Sequence, residues 1–425
     1  MSLQIHVIAA TAIFVVTYGM IVAEKLNRIS VALAGACLML ILGILSQDEA
    51  IASVDFNTLT LLVGMMLIVT ITKRTGVFQY VAIKAAQLAK GDPWRIMMLF
   101  VILTAVSSAL LDNVTTVLLV APVTMVICDV LGLNPVYFLM PEILASNIGG
   151  TATLIGDPPN IMIGGATGFG FLDFIEHLAP PSLVILVTVI LICRVVYGRH
   201  LQVKEEAKRE IMSMDPNLEL SDHKLLFKCL LVLGLVMMGF VFHQFLGYES
   251  ATVALAGAAL LMVIADVNPE DVLIEVEWGT IFFFIGLFIL VGGLEQVGVI
   301  ETLAKKMVAL TSGNLAMTTL IVLWVSAIAS AFIDNIPFVA TMIPLIKSIG
   351  ALSSMDIVPL WWALALGACL GGNGSLVGAS ANVIVAGMVS RTEHPITFGS
   401  FFRVGFPVML LSMVIATIYL WIMYL

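Results

Sequence analysis

Residues 108–122 of this chain recur 222 positions later: Ser108, Asp112, Asn113 and Pro122 return as Ser330, Asp334, Asn335 and Pro344. The same offset carries Gly149-Gly150-Thr151, Gly156 and Asn160 onto Gly371-Gly372-Asn373, Gly378 and Asn382. It also carries the run Val31 to Ala36, unchanged, onto Val253 to Ala258. A polar, glycine-broken segment present twice constrains the chain to two similar halves, and it points to a binding site that the halves share.

The solvent around those halves follows from composition. Hydrophobic residues make up 60% of the chain and charged residues 11%, against roughly 45–50% and 25% in soluble domains. Several charge-free stretches are long enough to cross about 30 Å of hydrocarbon, and the chain length accommodates about ten crossings with no sizeable soluble domain. The net charge of −9 is spread over short loops. No basic tract suggests a nucleic-acid partner. The five cysteines, Cys37, Cys128, Cys193, Cys229 and Cys369, lie in apolar segments without metal-ligand spacing and read as buried free thiols.

First-half spans are predicted at 5–23, 29–46, 56–72, 135–165 and 178–197, with a helix along the membrane surface at 76–90. Residues 94–130 are apolar on both sides of a polar centre at Ser107–Asn113, which predicts a re-entrant hairpin with its tip inside the membrane. The second half repeats this plan at 227–245, 250–267, 278–292, a surface helix near 298–312, a hairpin at 316–351, and spans at 359–387 and 400–424. The chain thus divides into a first repeat, 1–198, with its hairpin at 94–130 and a broken helix at 135–165. A polar cytoplasmic linker, 199–224, read as solvated, leads to a second repeat, 225–425, with its hairpin at 316–351 and a broken helix at 359–387. Five spans per half is an odd number, so the second copy is inverted. Lys25, Arg28, Lys73, Arg74, Arg391 and Arg403 then fall on the linker side, in keeping with the excess of basic residues in cytoplasmic loops. The expected class is an all-α polytopic protein of the plasma (inner) membrane, built from two inverted repeats.

Candidate binding residues sit where this pattern breaks. An acid inside a membrane segment costs several kcal/mol and is a functional candidate by default. Asp112 and Asp334 are such acids at equivalent hairpin tips, beside Ser108, Asn113 and Thr115 in one copy and Ser330 and Asn335 in the other. The alternative is that each Asp caps the helix that follows. Gly149-Gly150 and Pro158-Pro159 forbid a continuous helix between them, which exposes Asn147, Thr151, Thr153, Asp157 and Asn160. Asn373, Ser375 and Asn382 belong to the matching break. Half-helix ends of this kind supply partial charges and hydrogen bonds to ions and solutes; close packing through small residues is the alternative. The copies differ, since Asp157 faces Ala379, Thr151 faces Asn373 and Asn147 faces Cys369. Asp157 is therefore a third acidic candidate, and Glu142, whose counterpart is Leu364, a weaker fourth placed nearer the interface. No Lys or Arg falls in either tip or break, so the expected site has up to three carboxylates and no fixed cation. That suits a proton, a cation or a neutral polyhydroxyl solute.

Ser108-Ala109-Leu110-Leu111-Asp112-Asn113-Val114-Thr115-Thr116 and Asn147-Ile148-Gly149-Gly150, followed by Gly156-Asp157-Pro158-Pro159-Asn160, resemble the ion transporter superfamily. The closest branch is the arsenite permease and Na+/H+ antiporter group that includes the melanocyte P protein. Ile333-Asp334-Asn335-Ile336-Pro337-Phe338 and Gly371-Gly372-Asn373-Gly374 with Gly378-Ala379-Ser380-Ala381-Asn382 match the second-half motifs of that branch. The resemblance implies a scaffold domain, a transport domain of two hairpins and two broken helices, and an elevator-like cycle. It also implies a homodimer and an arsenical-pump ATPase partner. Dicarboxylate members carry Ser-Asn-Thr at these tips, whereas here the tips read Leu111-Asp112-Asn113 and Ile333-Asp334-Asn335, which favours proton-linked exchange.

The reading is a secondary transporter without enzymatic activity or cofactor beyond a coupling ion, H+ or Na+, and a proton-coupled exporter of arsenite or a related metalloid acid. Na+/H+ exchange through the same acids, transport of an anion such as a dicarboxylate, and an ion channel are the rivals.

Overall fold

Polar caps and glycines cut an otherwise apolar chain into helices. The computed structural model describes residues 3–23, 25–353, 355–390 and 392–425. In the first half α1 spans Leu3–Val22, α2 Arg28–Ile41, α3 Gln47–Ala52, α4 Phe56–Lys73, α5 Val77–Leu88, α6 Pro93–Leu110, α7 Asn113–Leu131, α8 Val136–Thr151, α9 Pro158–Thr167 and α10 Phe171–Tyr197. The linker carries α11, Glu205–Ser213. The second half continues with α12 His223–Leu246, α13 Ser250–Ala265, α14 Pro269–Ile274, α15 Trp278–Gln296 and α16 Val299–Leu310. It ends with α17 Leu315–Phe332, α18 Asn335–Leu352, α19 Val358–Gly371, α20 Ser380–Val389 and α21 Phe398–Tyr424. Ten helices among the described residues are long and apolar enough to cross a membrane. Four of these, α6, α7, α17 and α18, are hairpin arms.

Side chains of Asn27, Asp55, Asp92 and Asp112 accept backbone N–H bonds at the starts of α2, α4, α6 and α7. Asn268, Asn314 and Asp334 do the same for α14, α17 and α18. Each satisfies an amide that has no partner within its helix, which matters more where no water can replace it. Gly76 and Gly298, at equivalent positions, turn the chain into the surface helices α5 and α16 with φ of 76° and 78°. A side chain is strained in that left-handed region, and at Gly76 a Cβ would also collide with the Glu219 carbonyl.

The second copy is upside down. Helices α4 and α15 are equivalent by the offset, yet Ser53 and Asp55 at the start of α4 share a cavity with Gly292 and Glu295 at the end of α15. Gln296 donates to Glu49 Oε1 at 2.6 Å across the same junction. Equivalent helices therefore run antiparallel. The framework is built from two related contacts, α2 on α15 and α13 on α4, with Gly286 against Ala32 in one and Gly64 against Ala254 in the other. The hairpins and broken helices form a second bundle, in which α6 lies on α8, α17 on α19, α7 on α20 and α18 on α9.

Two sequence expectations change. The linker is not a free solvated segment: Ile211 is fully buried, Gln87 donates to the Met214 carbonyl at 2.7 Å and Ser221 to the Arg74 carbonyl at 2.6 Å. Apolar contact and backbone bonding to α5 and α7 outweigh its hydration. Cys37 is exposed on the outer face of α2, where an apolar residue meets lipid, while the other four cysteines are buried. Glu142 is buried inside the protein, at 2% exposure. Arg391, assigned to the linker side, lies outside the described residues.

Candidate functional site

The two hairpins are fastened to the two broken helices by the same bonds in each copy. Ser108 Oγ donates to the Ser146 carbonyl at 2.6 Å and Ser330 Oγ to the Ala368 carbonyl at 2.6 Å. Thr153 donates to the Ala109 carbonyl, and its counterpart Ser375 to the Ala331 carbonyl. Asn160 spreads its amide over the Thr151 and Thr153 carbonyls at 3.0 and 2.8 Å, and Asn382 over those of Gly372 and Ser375 at 2.8 and 2.9 Å. These are the carbonyls that a broken helix leaves without amide partners. Thr151 returns its hydroxyl to the Asn147 carbonyl at 2.7 Å. Ser108, Ser330, Thr151, Thr153, Ser375, Asn160 and Asn382 thus hold the backbone of the breaks in shape. Glycine makes the approach possible, since a Cβ on Gly149 or Gly371 would strike the Ala105 or Ala327 carbonyl.

The breaks meet through asparagines. Asn147 Nδ2 donates to Asn373 Oδ1 at 2.9 Å and to Asn382 Oδ1 at 3.0 Å. Asn113 Nδ2 donates to Asn147 Oδ1 at 3.2 Å, and Asn373 Nδ2 to the Leu144 carbonyl at 3.3 Å. A buried network with its members satisfied rigidifies its surroundings, so both tips and both breaks form one body.

That body presents its polar edge to the framework across a cavity of about 110 Å³. Asp112, Asn113, Asp157 and Asn335 line one side, and Arg28, Glu277 and Thr280 the other, with Leu62 and Met66 of α4 between. Asp157 is 1% exposed, and Asn335 donates to its two oxygens at 3.3 and 3.5 Å. Both Asp112 and Asp334 lie near enough to Asp157 to act on it electrostatically. Asp112 accepts from the Thr115 amide at 2.7 Å and from the Thr115 hydroxyl, so it caps α7 while facing the cavity. Thr115 acts through that carboxyl.

Asp334 differs from Asp112. It caps α18 through the Ile336 amide at 3.1 Å, and its other oxygen binds Arg28 Nη1 at 2.7 Å and the Ser380 hydroxyl at 3.2 Å. It lines a neighbouring cavity of about 330 Å³ rather than the central one, and Arg28 and Ser380 border both. The expectation of a site without a fixed cation is therefore corrected. The cation comes from the start of α2, which sequence position assigned to a basic loop, and the fold brings it to the tip of the other half.

Sequence reasoning also passed over Glu277, Thr280 and Ser380. The repeat held a signal for two of them: Asp55 and Thr58 stand 222 positions before Glu277 and Thr280. In both copies the threonine donates to the acid, at 2.6 Å and 3.1 Å. Arg28 has Ser250 at the equivalent place, so its charge belongs to one copy alone. A carboxylate at this depth needs a proton, a bound cation or a basic partner. Here one guanidinium serves Asp334, which leaves Asp112, Asp157 and Glu277 as acids around a polar cavity able to take a small cation or solute.

Known proteins agree with this architecture. The family model described as citrate transporter (CitMHS) matches residues 18–367. An uncharacterized transporter of Mycobacterium tuberculosis is 44% identical over 98% of both chains. The P protein of Mus musculus is 34% identical over 99% of this chain and 60% of its own length. Among solved structures, the YdaH transporter of Alcanivorax borkumensis superposes with a TM-score of 0.64 at 12% identity, over 97% of this chain and 98% of its own. MtrF of Neisseria gonorrhoeae gives 0.62 at 12% identity, over 92% and 84%. With its inverted repeats, ten apolar helices and matching family model, the chain is a multi-pass membrane transporter belonging to the citrate transporter family of the ion transporter superfamily.

Proposed function

We propose that this secondary transporter is proton-coupled, that Asp157 and Asp112 carry the coupling proton, and that a small uncharged hydroxylated solute occupies the cavity beside them. Arsenite, as As(OH)3, represents that class, and export is the direction. The observation that carries the reading is the charge balance of the cavity: three carboxylates face it, and its one arginine is already bound to Asp334. A polyanion entering such a site meets repulsion, whereas a proton or a neutral solute with several O–H groups meets acceptors and the amides of Asn113 and Asn335. Discharging a buried acid on one side and recharging it on the other links solute movement to the pH gradient. The same reading includes elevator motion of the hairpin bundle, a homodimer and an arsenical-pump ATPase partner, the last two tested by mass in detergent and by co-purification.

A second reading is favoured by Arg28 in the cavity wall and by the family model. In it a carboxylate anion binds the guanidinium, and cations on Asp157 and Asp112 neutralise the remainder. Flux into proteoliposomes with arsenite, sodium and citrate side by side, with a pH-sensitive dye inside, separates the readings. Arsenite-dependent proton movement supports the first, citrate-dependent uptake supports the second, and sodium-dependent proton movement without either solute supports Na+/H+ exchange.

A further inference from the structure

Glu142 is an acid that the cavity does not use. It lies in α8 nine residues before Thr151, about 13 Å from the break at ~1.5 Å per residue. Oε1 accepts from Thr124 Oγ1 of α7 at 2.8 Å, while Oε2 is buried with no hydrogen-bond partner among the described residues. The inverted repeat supplies an internal control. Across the offset, Glu142 and Thr124 become Leu364 and Ile346, and both of these are fully buried. The same packing position is filled without polar atoms in the other copy, so the fold does not require the pair.

Among the described residues the surroundings provide no counter-charge. From α7 the Cys128 thiol lies close enough to interact electrostatically with Glu142, and Asp129, the next residue, is exposed. On α6 Arg95 is exposed at the helix start, and on α10 Arg194 stacks over the Trp94 ring at 4.8 Å. Cys193 of α10 and Cys369 of α19 are buried thiols. Among the described residues no ion pair includes Glu142. An ionised carboxylate with one hydroxyl donor and no cation is several kcal/mol less favourable than the neutral acid at such a place.

We propose that Glu142 is a second proton-binding site of this transporter, protonated in this conformation, enclosed in the hairpin bundle and exchangeable apart from the cavity acids. The protonated state stands on the buried pair alone; the exchange rests on the transporter reading.

Infrared spectroscopy of the full protein in membranes tests both parts without any solute. The wild-type minus Glu142→Gln difference spectrum is expected to contain one carbonyl stretch of a protonated carboxylic acid at neutral pH. Transfer to D2O is expected to shift that band downward. A difference spectrum without the band overturns the protonated state, and a band that D2O never shifts overturns the exchange. The Glu142→Leu/Thr124→Ile variant copies the pair of the other half and is expected to fold and to lose the same band, which guards against a misfolded Gln variant. Intact proton coupling in Asp157→Asn would instead overturn the role of the cavity, whatever the Glu142 band does.

Discussion

Arg28 Nη1 reaches Asp334 Oδ2 at 2.7 Å and so ties the first residue of α2 to the tip of the second hairpin. One partner belongs to the framework and the other to the body of tips and breaks, so this contact must break if the two move past each other. The first tip has no such tie, because Ser250 stands where the repeat would place a second arginine. The two acidic tips, alike in sequence, are thereby unlike in charge: one is paired, and the other faces the cavity.

Arg28→Gln is expected to destabilise the conformation seen here by about 1–2 kcal/mol, less than for a fully buried pair because the arginine is partly exposed. Arg28→Gln combined with Asp334→Asn is expected to recover most of that loss, since no unpaired charge remains. Thermal unfolding in detergent reads both variants. A double variant no better than the single would show that the bridge does not set stability.

Asp157→Asn and Asp112→Asn are expected to reduce pH-driven flux at least tenfold while leaving the fold intact, because asparagine keeps the shape and one acceptor oxygen at both places. Asp112→Ala should lose about 1 kcal/mol more in stability than Asp112→Asn through the missing cap of α7. Proteoliposome flux and melting temperature separate the two effects. Unchanged coupling in Asp112→Asn would remove that residue from the mechanism.

Gly149→Ala and Gly371→Ala are expected to destabilise by roughly 1–3 kcal/mol each, as the added methyl displaces a hairpin arm from a broken helix. The Gly149 penalty should be the larger, because the added Cβ would stand closer to the Ala105 carbonyl oxygen than the 2.6 Å that Gly371→Ala leaves to that of Ala327. Melting curves in which Gly371→Ala loses more than Gly149→Ala would show that the copies tolerate strain differently.

Asn147→Leu is expected to abolish flux and to lower stability by about 1–3 kcal/mol for each partner left without its bond. Asn373, Asn382 and Asn113 are those partners. Retained flux would mean that the breaks need not move as one body.

At the linker, backbone amides of Leu225 and Lys224 hold the Asp222 carboxyl below its ordinary range. A depressed folded-state value means that the stabilisation is present above the unfolded aspartate range and is lost as pH falls through the folded value. Asp222→Ala should therefore melt lower than wild type at neutral pH, and the gap should close in acid. A constant gap across pH would place the effect elsewhere.

Sequence alone determined the all-helical membrane class, the two halves, the inversion and the positions of the tips and breaks. Hydrocarbon admits few backbone solutions, and the glycine, proline and aspartate signals that interrupt a helix are local. It also marked Asp112, Asp157, Asn113 and Asn335, because an acid or amide in an apolar run needs a reason. It did not separate these from Ser108, Ser330, Thr153 or Ser375, whose hydroxyls turn to a backbone carbonyl across the hairpin and not to the cavity. Only the tertiary structure decided that Arg28 meets Asp334, that Glu277 faces Asp112, and that Glu142 is sealed beside Thr124. Those relationships join residues far apart in the chain, and the crossing of two inverted halves, which no local pattern encodes, sets which side chains share a cavity and which charges find a partner.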